Sequence, residues 1–313
     1  MSEPTTPVIE APKRRGRLVA IIVAVALIAA AIVVFALTRG SDDDSAAGAD
    51  DKTWRIGVVG ASDPYWAEYE QAAQDAGIDV EIVDFTDYAQ PNPALAEGDL
   101  DLNQFQHIVY LADYNVSNDQ DLVPVGATAI YPLGLYSKEY SDVEDIPDGA
   151  TVAVPNDASN QARALLVLQS AGLIELSDGG SIFSDVADVD TEASRVEVTA
   201  LDANVTATSL DDVAAAVVNN DFVEKAGLSF DQAIAQDDPS DPNALPYVNI
   251  FAARAEDRDD PTIAKLVEIY QETEAVTTGV QEVSGDTAVL LTTPVEDLMA
   301  ALEKTEQDTA AQK

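Results

Sequence analysis

The stretch Val152-Ala153-Val154-Pro155-Asn156-Asp157-Ala158-Ser159-Asn160-Gln161-Ala162-Arg163, continued by Ala164 to Ile174, decides the fold class. Thr151–Val154 is short, apolar and rich in β-branched residues, which reads as a strand. Pro155 and Asn156 turn the chain. Asn156 or Asp157 can then cap a helix over Ser159–Ala171, and Gly172 supplies the residue that helices commonly take just past their end. A strand followed at once by a helix is half of a βαβ unit.

The same signals recur on both sides. Trp54–Val59 is an apolar run ending at Gly60, Pro64–Ala76 has helical spacing and stops at Gly77, and Ile78–Phe85 alternates Ile78, Val80 and Ile82 with Asp79 and Glu81. A short helix (Asn92–Glu97), a strand (Leu100–Asn103) and a second helix (Gln106–Tyr114) follow. Leu122–Tyr136 reads as two strands, the second leaving the first lobe. Further on, Val196–Ala200 and Ala214–Val218 read as buried strands and Tyr247–Ala253 as another. Pro261–Glu272 and Pro294–Leu302 read as helices, and no internal repeat is visible. Strands alternating with helices imply parallel or mixed sheets covered on both faces. The expected fold is α/β and two-lobed, with lobe 1 made of residues 53–135 plus 251–313, lobe 2 of 136–250, and a ligand cleft between them.

Ahead of these lobes, Leu18–Leu37 is a run of 20 apolar residues without a charge, Gly or Pro. At 1.5 Å per residue it spans about 30 Å, the thickness of a bilayer core. Lys13, Arg14, Arg15 and Arg17 precede it and favour the cytoplasmic side. The expected order is a cytoplasmic basic tail (1–17), a single transmembrane helix serving as anchor or uncleaved signal (18–38), and a flexible acidic linker (39–52). A cleaved signal peptide would normally have a shorter apolar region. Localisation follows: a cell membrane, single-pass, with the C-terminal domain extracytoplasmic.

Charge and composition exclude several chemistries. Five of the 16 basic groups and two of the 57 acids fall in residues 1–40, which leaves 11 basic against 55 acidic groups for the rest. Such a surface repels nucleic acid, so no nucleic-acid partner is expected. The sequence has no cysteine and one histidine, His107. Thiol catalysis, disulfides, a multi-imidazole zinc site and a lipid-modified cysteine are excluded. No phosphate-cradling Gly-rich loop or nucleophile-elbow motif is present. Asp185-x-x-Asp188-x-Asp190 lacks the Gly and closing Glu of a calcium loop. The expectation is therefore a non-enzyme without metal or cofactor. The competing readings are an acidic cell-surface calcium-binding or interaction protein and a secreted carboxylate-based hydrolase.

Two segments draw polar and aromatic side chains to strand ends, where open α/β sheets bind ligands. One is Asp87-Tyr88-Ala89-Gln90-Pro91-Asn92. The other is Leu100-Asp101-Leu102-Asn103-Gln104-Phe105-Gln106-His107, with Tyr110 after it. The N-terminus of the 159–171 helix offers free N–H groups to an anion. Arg163, near its first turn, can form a bidentate clamp on a carboxylate or an ordinary surface salt bridge.

These segments, together with Val217-Val218-Asn219-Asn220-Asp221-Phe222, Glu224 to Leu228, and Pro246-Tyr247-Val248-Asn249, resemble in order and interval the NlpA family, the methionine-binding proteins of ABC importers. The likeness runs from about Trp54 to Arg254. It implies a periplasmic-binding-protein fold (type II-like) and a receptor that hands methionine, or a related amino acid, to an ABC permease and its ATPase subunits. Carried over by motif, Tyr88, Phe105, His107 and Tyr110 would line the thioether pocket. Arg163 would pair with the ligand carboxylate, and Asn219 and Asn249 would bond the amino-acid head group. Two departures stand out: the anchor is a helix, and a family Gly-Pro-His run is replaced by Ser62-Asp63-Pro64-Tyr65-Trp66. That loop would border the cleft, with Trp66 near its mouth.

The topology has a direct test. Washed membranes should retain the full-length chain, with the 18–38 segment intact and the ectodomain open to external protease. A mature N-terminus just after Ala36, or recovery in the soluble secreted fraction, would rule out the anchor.

Overall fold

The computed structural model describes residues 52–241 and 244–312. The basic tail, the 18–38 segment and nearly all of the linker lie outside the described residues. Among the described residues no helix is long and apolar enough to cross a membrane.

Two five-stranded sheets organise the described residues. The first uses β1 (Thr53–Val59), β2 (Asp79–Phe85), β3 (Leu102–His107), β4 (Val123–Ala127) and, from much later in the sequence, β11 (Asn249–Ala253). Its order is β2-β1-β3-β11-β4; β1 runs parallel to β2 and β3, and β11 enters antiparallel between β3 and β4. The second sheet takes β6 (Gly134–Tyr136), β7 (Thr151–Pro155), β8 (Glu197–Leu201), β9 (Ala215–Val218) and β10 (Ala235–Gln236), in the order β10-β6-β9-β7-β8. A small ladder pairs β5 (Ala129–Ile130) with β12 (Val289–Leu290). The chain passes to the second sheet through Tyr131–Leu133 and returns through the segment before Asn249. Strand β6 starts at Gly134 just after the first crossing, and β11 starts at Asn249 just after the second.

Helices α1 (Tyr65–Asp75), α2 (Pro91–Ala96), α3 (Ile108–Asn118), α7 (Pro261–Glu272), α8 (Glu274–Val283) and α9 (Val295–Ala310) accompany the first sheet. Helices α4 (Ala158–Ser170), α5 (Ala203–Thr206) and α6 (Asn220–Val223) belong with the second. Helix α7 has the bounds its periodicity gives, capped by Asp260, whose side chain accepts from the Thr262 N–H at 2.8 Å. Helix α9 runs well beyond Leu302, the end expected from its apolar spacing.

Three expectations are corrected. Strand β3 starts at Leu102 and ends at His107, where the sequence reading gave Leu100–Asn103. Its polar residues disguised it. Asn103, Gln104 and Gln106 are buried in the strand and bond one another and their neighbours. Asn92 Nδ2 donates to Gln106 Oε1 at 2.7 Å, Asn103 Nδ2 to Asn92 Oδ1 at 2.9 Å, and Gln104 Nε2 to Thr128 Oγ1 at 3.1 Å. Buried amides tolerated in this way leave no hydrophobic signature. Second, β8 is an edge strand rather than a buried one, and its residues are half-buried or exposed. Third, Trp66 does not stand at a cleft mouth. It is 2% exposed, within 6 Å of the rings of Tyr65, Tyr69 and Tyr270.

That aromatic cluster anchors the first sheet. Phe251, on β11, packs on Tyr69 and Tyr270 with ring centroids 6.3 and 5.2 Å away. Phe251→Ala should cost about 3–5 kcal/mol, lowering the urea midpoint with an unchanged slope. Trp66 emission should shift red in the same transition, because the indole leaves an apolar cluster. A midpoint within error of the parent would mean that β11 does not hold this core together.

Candidate functional site

The loop after β2 carries Tyr88, β3 carries Phe105 and His107, and α3 opens immediately after with Tyr110 one turn in. His107 ends β3 and caps α3, its Nδ1 accepting from the Tyr110 N–H at 3.2 Å. Asn249 begins β11 directly opposite His107 in the ladder. From the second sheet, Arg163 comes on α4 and Asn219 from the turn between β9 and α6. All seven residues singled out from the sequence line one small cavity, joined there by Gln106, Tyr131, Asn160 and Asn220.

One wall is aromatic. Ring centroids of Tyr88, Phe105 and Tyr110 lie 5.6–6.2 Å apart, and Phe222 reaches over from α6 to within 5.2 Å of Tyr88. Apolar contact is continuous between the sheets here, since Val59, Tyr88 and Phe105 cluster with Tyr136, Val218 and Phe222. Aromatic faces and edges of this kind suit an apolar or sulfur-bearing side chain.

The opposite wall is polar and forms a chain. With Nδ1 of His107 accepting, Nε2 carries the proton and donates to Asn160 Oδ1 at 3.3 Å. Asn160 Oδ1 also accepts from Asn219 Nδ2 at 3.0 Å, while Asn160 Nδ2 donates to Asp157 Oδ1 at 2.9 Å. Burial, helped by the nearby Arg163 charge, lowers the His107 pKa to about 3, so the ring is neutral at any ordinary pH. Asn219 Oδ1 is buried and accepts no hydrogen bond among the described residues. A buried acceptor left in that condition is costly unless a donor meets it.

Arg163 corrects its sequence reading twice. It stands at the sixth position of α4, in the second turn, and it is 6% exposed. It does make a salt bridge, but a buried one: Nε to Asp237 Oδ2 at 2.6 Å. Its Nη2 donates to the Tyr131 carbonyl at 2.8 Å, and the guanidinium lies 4.5 Å from the Tyr247 ring centroid. At the N-terminus of α4 the Asp157 side chain already takes one donor, the Asn160 N–H at 3.0 Å.

A second contact between the halves lies beside the cavity. Tyr88 Oη donates to Asp221 Oδ2 at 2.7 Å, and Asn204 Nδ2 to the Thr86 carbonyl at 3.2 Å. Burial raises the Asp221 carboxyl to about 6, against the pull of Tyr88 and Lys225. Asp63 is also raised to about 6, by burial first, with Glu224 and Asp84 adding to the rise and Lys225 opposing it. Of the loop expected to border the cleft, Asp63 faces this contact, whereas Tyr65 and Trp66 belong to the core.

Asn160, Tyr131, Tyr247, Asp221 and Asp237 were not singled out from sequence. Asn160 lies three residues before Arg163 on one helix, which puts both on one face, and that spacing could have found it. Asp237 is one acid among many with no motif around it. The Asp185–Asp190 tract is structural: Asp185 Oδ1 accepts from the Ala187 N–H at 2.7 Å, and Asp188 Oδ2 from the Asp185 N–H at 3.0 Å.

Known proteins resemble this chain over most of its described length. The probable D-methionine-binding lipoprotein MetQ of Haemophilus influenzae is 40% identical over 222 residues, 69% of this chain and 80% of that protein. The substrate-binding protein of a methionine transporter from Streptococcus pneumoniae superposes with a TM-score of 0.71 at 37% identity, covering 76% of this chain and 95% of that one. A nutrient-binding protein from Burkholderia cenocepacia, bound to methionine, superposes with a TM-score of 0.70 at 36% identity, covering 76% and 99%. The family description "NlpA lipoprotein" matches residues 55–290, three quarters of the sequence, and the chain belongs to that family.

Proposed function

We propose that this chain is the extracytoplasmic receptor of an ABC importer, binding methionine or a close relative between two lobes and presenting it to a membrane permease. The observation that carries the reading is the convergence, from both sheets, of a buried cation, a buried amide oxygen without a donor and a ring of aromatic side chains on one cavity. An α-amino acid with an apolar side chain needs that set. Its carboxylate pairs with Arg163, its ammonium donates to Asn219 Oδ1 and the amide of Asn249, and its thioether enters the Tyr88–Phe105–Tyr110 sleeve. Neutral His107 holds Asn160, which holds Asn219. No step here forms or breaks a covalent bond, in keeping with relatives named as binding proteins. We assign membrane attachment to the 18–38 segment, since the sequence offers no cysteine for a lipid.

In this reading lobe 1 (53–135 plus 251–313) and lobe 2 (136–250) close on the ligand about hinges at Leu133–Ser137 and Val248–Ala252. The Tyr88–Asp221 and Asn204–Thr86 bonds belong to the closed form. Arg163→Ala should weaken L-methionine binding by about 2–5 kcal/mol, roughly 30- to several-thousand-fold, by titration calorimetry with folding checked by circular dichroism. A change under about threefold would remove Arg163 from the site.

Closure should also depend on pH. Asp221 is raised to about 6 in the closed form, against about 4 for a solvated carboxyl. The closed state therefore holds the proton more tightly than an open one. The charge penalty on closure is fully present above about pH 6 and is relieved as pH falls from there towards 4. Methionine affinity should rise over that interval, and Asp221→Asn should flatten most of the rise, with Asp63 giving the remainder. Affinity independent of pH between 7 and 5 would show that Asp221 keeps its environment in both states.

A further inference from the structure

The Arg163 guanidinium is held by groups that belong to neither the aromatic sleeve nor the amide chain. Asp237 lies just past β10, where the chain leaves the second sheet. Its Oδ2 takes the Arg163 Nε–H at 2.6 Å. Its Oδ1 takes the Leu133 N–H at 2.8 Å, and its own N–H reaches the Leu133 carbonyl at 3.3 Å. Leu133 is in the segment that first crosses between the sheets. The neighbouring Tyr131 carbonyl takes Arg163 Nη2, and Tyr247, from the returning segment, stacks on the guanidinium. One carboxylate thus ties the cation to the crossing chain through both of its oxygens.

A guanidinium carries five N–H groups in a rigid fork. Among the described residues two are engaged, one on Nε and one on Nη2. The Nε–Nη2 edge is spent on protein, and the remaining three N–H groups include the pair on Nη1. The side chain can therefore present only its far end to a ligand. Asp237 also balances the charge of a cation that is 6% exposed. An unpaired cation so placed would be driven to find another carboxylate among the many on this surface.

We propose that Asp237 is a positioning residue of the binding site: it fixes which edge of the Arg163 guanidinium faces the ligand carboxylate and couples that edge to the crossing segment at Leu133. The inference rests on the receptor reading above and adds to it a residue that touches no ligand atom.

The test compares L-methionine with L-methionine amide, which keeps the thioether and amine and lacks the carboxylate. Both are titrated into the full chain and its Asp237→Asn variant, the weaker ligand by displacement. If Asp237 acts through Arg163, D237N should weaken methionine by about 10- to 100-fold and change the amide by under about threefold. Equal losses for both ligands would mean a general structural role and overturn the proposal, as would unchanged or tighter methionine binding. Failure of the parent chain to bind methionine would instead overturn the receptor reading, and this proposal with it. A second measurement does not depend on the folding of D237N. In the unmutated chain, the Arg163 Nε–H proton resonance, assigned by its loss in Arg163→Lys, should stay hydrogen-bonded and protected from exchange both before and after saturation with methionine. Loss of protection on adding methionine would show the ligand displacing Asp237, and the proposal would fall.

Discussion

A cation has to remain charged inside a protein whose residues 41–313 hold five times as many acids as bases. Burial alone would drive Arg163 out to water or into the nearest surface carboxylate, since charge without a partner is expensive in a poorly hydrated interior. The fold answers with one dedicated carboxylate, one main-chain carbonyl and one aromatic face. Each of the three comes from a segment that passes between the sheets or borders such a segment. The cation therefore sits where the two halves are joined. The position of everything else in the site follows from it: α4 must face the gap, the β9–α6 turn must bring Asn219 beside it, and β3 must end at His107 so that its ring reaches Asn160.

The two walls of the cavity serve different purposes. The aromatic wall comes almost wholly from the first sheet, and the polar wall combines the second sheet with His107 and Asn249. Neither half alone makes a complete surface for an amino acid. The hydrogen-bond chain from the Tyr110 N–H through the side chains of His107, Asn160 and Asn219 is continuous only when both halves are present, and the neutral His107 ring adds no charge to it. The ionisable groups around the cavity are Arg163 with Asp237 on one side, Asp221 and Asp63 with Lys225 on the other, and Asp157 behind Asn160. The first pair orients; the second makes the contact between the halves sensitive to protons.

Much of this was legible in the sequence because local signals agreed with the fold. The strand, turn and helix at 151–171 appear within a residue or two of their expected places, with Asp157 as the cap. The alternation at 78–85 marks a strand of just that exposure. All seven expected site residues meet in one cavity, although for all but Arg163 it was the family resemblance, not position, that pointed to a role. What stayed hidden has physical causes. Strand β3 is buried yet full of amides that satisfy one another, so hydropathy placed it two residues early. Trp66 follows a loop that borders the contact between the halves, but the helix starting at Tyr65 turns it into the core. Asp237 could not be told from its neighbours, because its importance comes from Leu133 and Arg163, both distant in sequence.

The insertion of β11 between β3 and β4 has a consequence for the birth of the molecule. The strands of the second sheet come from one unbroken run, 134–236, nested inside the first. A chain emerging N-terminus first from a ribosome or a translocation channel completes this inner sheet while the outer one has only β2, β1 and β3 joined. Strand β4 has already been made, but it has no neighbour until residue 253 arrives. During that interval β3 offers an open edge, a template for pairing with another unfinished chain. The dense negative charge acts then as well, holding half-made copies apart until the last strand slides into place.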